Sequence, residues 1–256
     1  LIIAFLSFGQ GWEQIFGGIN VDRGYSVQQT TDEGYIITGS TGSYGNLGLD
    51  VYLLKTDENG QEQWSQTFGG WYTEDGYSVQ QTIDGGYIIT GSTGSFVNGS
   101  TWTGTDIYLI KTDENGQEEW YESFGGYGYD FGYSVQQTTD EGYIIAGVMG
   151  YNYDFTDIGL IKTDGLGNVE WEKTFGWIDD DYGYSVQQTT DGGYIIAGYT
   201  LSLATYPDPG VCLLKTDENG NEEWYQTFDY SGWGRSVQQT TDGGYIITGT
   251  LLLKTN

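Results

Sequence analysis

Gly24-Tyr25-Ser26-Val27-Gln28-Gln29-Thr30-Thr31-Asp32-Glu33-Gly34-Tyr35-Ile36-Ile37 decides how this chain folds. The phrase returns at Gly76, Gly132 and Gly183 with small changes, and at Gly234 as GRSVQQTTDGGYII, at spacings of 52, 56, 51 and 51 residues. Self-similarity at this period marks a repeat architecture built from one supersecondary unit. Within the phrase, Ser26 to Thr30 reads as a strand and Asp32-Glu33-Gly34 as a tight turn. Tyr35 to Gly39 reads as the returning strand.

Outward from this phrase each unit adds two more strands. A loop of variable length leads to Val51-Tyr52-Leu53-Leu54-Lys55, and the turn Asp57-Glu58-Asn59-Gly60 leads to a strand that starts at Trp64 and runs through Phe68. Asn-Gly supplies the positive φ angles that a hairpin requires. Four short strands in about fifty residues is the length of one propeller blade. The first-strand signature occurs five times, and so do the third-strand lysines Lys55, Lys111, Lys162, Lys215 and Lys254. The fourth-strand tryptophans are Trp12, Trp64, Trp120, Trp171 and Trp224. Trp12 precedes the first full unit, whereas only two residues follow Lys254.

The expected fold is therefore all-β: a five-bladed β-propeller with four antiparallel strands per blade, occupying residues 11–256 as one domain. Its ring is expected to close when a strand at residues 11–18 completes the three-stranded last blade, which leaves no blade incomplete.

The phrases KTDENGQEQW, KTDENGQEEW and KTDENGNEEW resemble the blades of PQQ-like propellers, and the full phrase GYSVQQTTDGGYIITG with a following YLIKTDENGNEEW resembles repeat domains of secreted bacterial and archaeal proteins. In the PQQ-like blades a turn glycine is followed four positions later by a tryptophan that docks between blades. Gly60 and Trp64, Gly116 and Trp120, and Gly220 and Trp224 have that spacing. The fourth copy, Asp164-Gly165-Leu166-Gly167-Asn168 before Trp171, is expected to carry a longer or distorted turn. The resemblance concerns the scaffold and implies no bound quinone; no cofactor is expected.

Composition narrows the function. Acids number 36 and bases 8, a net charge of −28. Phosphate backbones need a basic surface, so nucleic acid is not an expected partner, and anionic membranes are disfavoured on the same ground. Residues 1–10 open with the apolar run Leu1 to Leu6, which reads as a signal-peptide remnant or an apolar tail and points to secretion. That run is too short to span a membrane. The single Cys212 aligns with strand residues and reads as packing.

There is no histidine, so His-based triads and His-ligated metals are out of reach. The inner strand Ser-Val-Gln-Gln-Thr carries no acid in any copy, and near-identical blades offer little asymmetry for one active site. An enzyme is not expected. The recurrent turn aspartates read as backbone caps balanced by the lysines, and the D-x-N-G turn lacks the remaining ligands of a calcium loop. No metal site is expected.

Candidate binding residues lie where the copies differ, on the face carrying the long loops. The loops between blades bring Trp71, Tyr72 and Asp75; Tyr127, Tyr129 and Asp130; Trp177, Asp180 and Asp181; and Tyr230 and Trp233. Aromatic rings beside carboxylates suit sugar recognition, suit a protein interface equally, and also suit simple packing over blade edges. Asn98-Gly99-Ser100 is an N-glycosylation pattern in the longest loop. A secreted, non-enzymatic module for protein interaction or self-assembly leads these readings. A lectin-like propeller and a subunit of an extracellular filament or surface layer stand as alternatives.

Overall fold

The computed structural model describes residues 11–96, 104–126, 128–150, 155–176, 178–202 and 210–255. They form nineteen antiparallel strands in five sheets. The first sheet holds β1 (Asp22–Gln29), β2 (Tyr35–Thr41), β3 (Asp50–Thr56) and β4 (Glu62–Phe68). The second holds β5 (Glu74–Gln81), β6 (Tyr87–Thr93), β7 (Asp106–Thr112) and β8 (Glu118–Phe124). The third holds β9 (Phe131–Gln137), β10 (Tyr143–Gly150), β11 (Thr156–Thr163) and β12 (Val169–Phe175). The fourth holds β13 (Asp181–Gln188), β14 (Tyr194–Thr200), β15 (Gly210–Thr216) and β16 (Glu222–Ser231). The fifth has three strands, β17 (Gly234–Gln239), β18 (Tyr245–Gly249) and β19 (Leu252–Lys254).

The two middle strands of the second, third and fourth sheets are apolar on both faces because a neighbouring sheet covers each face. Ile36, Val51 and Leu53 of the first sheet pack with Val79, Tyr87, Ile89, Tyr108 and Ile110 of the second. Equivalent cores fill the next three junctions. The core is thus a series of slabs between sheets, each held by burial of branched and aromatic side chains.

Both hairpin turns follow from their residues. Asp32 Oδ1 accepts from Gly34 N–H at 3.2 Å and from Thr30 Oγ1, and Lys55 Nζ lies 2.8 Å from its other oxygen. Lys111, Lys162, Lys215 and Lys254 repeat that pair with Asp84, Asp140, Asp191 and Asp242. In the second turn only the glycine takes positive φ, 74° at Gly60. Asp57 Oδ1 accepts from Asn59 N–H and Gln61 N–H there. The fourth copy corrects the expectation of a distorted turn. Asp164 Oδ1 accepts from Leu166 N–H and Asn168 N–H, and Gly167, φ 84°, takes the place of Gly60, four residues before Trp171.

Each outer-strand tryptophan docks onto the next sheet. Trp64 meets Tyr87 edge-on at 5.7 Å, and a Cβ on Gly116 would stand 2.5 Å from its ring. Trp171 covers Gly220 and Tyr194 in the same way, and Trp120 covers Gly167 and Tyr143. The inner strands are stitched by side chains. Gln28 Oε1 accepts from Gln81 N–H at 2.6 Å, Ser26 Oγ accepts from Val79 N–H at 3.4 Å, and Gln81 Oε1 accepts from Thr31 N–H at 2.9 Å. The same three bonds recur at the next three junctions.

The expected strand at residues 11–18 is not formed. The segment has no regular secondary structure and the fifth sheet keeps three strands. Yet Trp12 is docked like the other tryptophans, edge-on to Tyr35 at 5.6 Å, over Gly60, with its Nε1–H donated to the Glu58 carbonyl at 3.0 Å. The segment spends its contacts on the first sheet and leaves the outer edge of β19 without a partner strand. Val27, facing the open side of the first sheet, is 65% exposed, against 6–7% for Val79, Val135, Val186 and Val237.

Candidate functional site: an aromatic belt at the channel mouth

The five inner strands line one channel of about 360 Å³, bounded by Gln28, Gln80, Gln136, Gln187 and Gln238 and the valine before each. Toward the loop-rich end every inner strand carries a β-bulge, at Tyr25, Tyr77, Tyr133, Tyr184 and Arg235. A bulge re-aims the extra side chain out of the pleat. It also brings the strand's backbone against its partner, so Gly39, Gly91, Gly147, Gly198 and Gly249 face a neighbouring carbonyl with no room for Cβ.

The bulged side chains touch in sequence around the mouth. Ring centroids lie 5.2 Å apart for Tyr25 and Tyr77, 5.4 Å for Tyr77 and Tyr133, and 5.1 Å for Tyr133 and Tyr184. The fifth position breaks the pattern: the Arg235 guanidinium sits 4.2 Å over the Tyr184 ring and 5.4 Å from Trp233. Tyr182, Tyr199 and Trp233 widen the belt into a shelf. Tyr182 stacks on Tyr199 at 4.7 Å, and Tyr199 meets Trp233 edge-on at 6.3 Å. Burial pushes the Tyr77 hydroxyl up to about 12, with the nearby Asp75 adding to it. Burial also raises Tyr184, opposed by the Arg235 charge. These phenols stay neutral and present hydroxyls.

The structure divides the residues singled out by sequence. Trp71, Tyr72 and Tyr129 are 80%, 50% and 51% exposed on the loop-rich face, and Trp233 is 43% exposed within the belt. Asp75 lies beside Tyr77, whose hydroxyl approaches it at 3.4 Å. Asp130 and Asp181 are buried and hold loops: Gly126 N–H and Gly150 N–H donate to Asp130, and Ser202 Oγ donates to Asp181. Asp180 accepts from Thr156 through its N–H and its hydroxyl. Tyr127, Trp177 and Asn98 lie outside the described residues, as does the side chain of Tyr230.

Further carboxyls are buried behind the loops. Asp50 and Glu74 stand next to each other, and burial raises both, with backbone and hydroxyl donors pulling against it. Burial also raises Asp130, and raises Asp157 with help from Asp181 and Asp180. Among the described residues no group of three or more carboxylates, thiols or imidazoles is placed to hold a metal ion. Nor is any helix among them long and apolar enough to cross a membrane.

Tyr77, Tyr133, Tyr184 and Arg235 were missed by sequence reasoning because they belong to the repeated phrase, which reads as scaffold. The available signal was the one substitution inside that phrase, GRSVQQ for GYSVQQ.

No family model matches the chain, and no curated protein is similar to it in sequence. Solved structures resemble it, two of them with TM-scores above 0.5. A protein of unknown function from Dyadobacter fermentans is 12% identical with a TM-score of 0.54, over 89% of this chain and 75% of that one. Another, from Bacteroides caccae, is 11% identical with a TM-score of 0.52, over 81% of this chain. This chain spans 65% of that structure's length. The WD40 domain of Pan2 from Neurospora crassa is 11% identical with a TM-score of 0.49, over 88% and 72% of the two chains. Repeated four-stranded antiparallel sheets, with their inner strands lining one cavity, make the class propeller-like.

Proposed function

We propose that the chain is a five-bladed propeller acting as a secreted, non-enzymatic module that binds a protein partner, or a second copy, through its loop-rich face. The observation carrying this reading is the convergence of the bulge-aimed aromatic belt and the exposed Trp71, Tyr72, Tyr129 and Trp233 on one face. Exposed Trp and Tyr are what binding surfaces are enriched in. The non-enzymatic part rests on the sequence without histidine and on acids such as Asp130 and Asp180 being engaged by loop backbone. The extracellular setting rests on the apolar run Leu1–Leu6 alone.

Closure of the ring belongs to the same proposal. Three stitching bonds join each pair of successive inner strands, and the fifth junction holds matching groups. Among the described residues Ser236 Oγ and Gln238 Oε1 accept no bond, and Val27 N–H and Gln29 N–H stand in the places of their donors. Trp12 is already seated where an outer-strand tryptophan of a preceding blade belongs.

The stacked Tyr182, Tyr184 and Tyr199 favour a second reading, carbohydrate binding, because flat rings accept the apolar faces of sugars. A glycan array beside native mass spectrometry of the purified protein tests both. Retention of glycans or oligomers that is lost in Trp71→Ala and Trp233→Ala supports the loop-face module. Retention unchanged in both variants places binding elsewhere and ends the proposal.

A further inference from the structure

We propose that Arg235 anchors a single carboxylate carried on a pyranose ring, so that the belt takes an acidic sugar. The inference rests on the reading of the loop-rich face as a binding face and names its ligand class.

Five of the eight basic residues, Lys55, Lys111, Lys162, Lys215 and Lys254, are held by turn aspartates. Arg235 is different. It is exposed, and among the described residues it forms no ion pair, although the chain carries 36 acids. Its guanidinium instead lies 4.2 Å over the Tyr184 ring and 5.4 Å from the Trp233 ring. The guanidinium is a planar fork of five N–H donors; the Tyr184 hydroxyl takes part of it, and the remaining donors suit a bidentate carboxylate. The position is unique: the other four bulges hold tyrosine. Among the five bulge positions the scaffold therefore presents one cation, Arg23 standing two residues before the first bulge, and one site at the Arg235 bulge follows.

The surroundings select what carries the carboxylate. The Tyr182, Tyr199 and Trp233 shelf offers flat faces beside the guanidinium, suited to the C–H face of a sugar ring, and phenol hydroxyls to meet its hydroxyls. A net charge of −28 repels any partner that brings many negative charges. A lone carboxylate is neutralised at Arg235 without that cost.

Calorimetric titration of the intact protein with methyl glucuronide, methyl glucoside and acetate separates charge from ring. The glucuronide is expected to bind with one site and at least tenfold more tightly than either control. Arg235→Gln should remove that preference with an unchanged melting curve, and Arg235→Lys should restore only part of it, since it returns charge without the fork. Acetate binding as tightly as the glucuronide, an acidic peptide binding more tightly, or an Arg235→Gln protein that binds like the parent would each overturn the assignment. A glycan or partner lost in Trp233→Ala but kept in Arg235→Gln would leave the loop-face module standing and remove the carboxylate anchor. Loss in neither variant would remove both.

Discussion

Glu33 and Glu141 take φ values of 69° and 68°, where the equivalent Gly85, Gly192 and Gly243 sit at 86–91°. A side chain in the left-handed region costs about 1–2 kcal/mol, and part of that returns through the lower unfolded-state entropy of a non-glycine residue. Glu33→Gly and Glu141→Gly together should therefore raise stability by about 1 kcal/mol, seen as a melting point about 2–4 °C higher. An unchanged or lower melting point would show that the turns relax this strain elsewhere. The turn itself was legible, because Asp-Glu-Gly and Asp-Gly-Gly fill the same place in every repeat. The tyrosine belt was not. It depends on five bulges, and a one-residue shift in pairing leaves no mark in a phrase that reads as a plain strand.

Residues 11–18 act at the scale of an element. Trp12 binds the segment to the first sheet, while β19 keeps an unpaired edge with Leu252 68% exposed. Exposed strand edges template pairing with other chains. If the segment completes the fifth sheet in the closed ring, deleting residues 11–18 uncovers Gly60 and Tyr35 and leaves that sheet without its fourth strand. The deletion variant should melt lower and aggregate with rising concentration, as followed by light scattering during a thermal ramp. A monomeric variant with the parent melting point would place closure elsewhere. The counting of strand signatures named residues 11–18 as the expected fourth strand of the last sheet. It could not weigh the tryptophan's hold on one sheet against backbone pairing with another, since those two contacts draw on the same eight residues. The fourth hairpin shows the converse: Gly167 stands at the required spacing before Trp171, and the extra Gly165 obscured it.

The whole molecule carries two opposed sets of carboxyls. Asp32 is lowered to about 2, chiefly by Lys55 and then by Thr30. Its stabilising contribution is complete above the unfolded value of 3.8 and is lost as pH falls toward about 2. Asp50, Glu74, Asp130 and Asp157 are raised, with burial the largest cause in each. Their contribution is complete below the ordinary values of 3.8 for Asp and 4.5 for Glu, and it is lost as pH rises through their raised values. Self-repulsion at a net charge of −28 adds to the loss at higher pH. Thermal melts across the pH range should peak in mildly acidic solution, at about pH 4–5. A melting point that climbs steadily to pH 8 would contradict this balance.

Every junction between successive sheets is built alike: a tryptophan is given forward to the next sheet, one glutamine oxygen forward to a backbone amide and a second glutamine oxygen back. Such a joint is indifferent to which copy stands on either side. A unit of about fifty residues can thus be excised, duplicated or exchanged as a cassette without rewriting the joints around it, so the joints do not count blades. Arg235 is then the one departure within the repeated GYSVQQ of the inner strands, a mark by which one sheet is told from the rest.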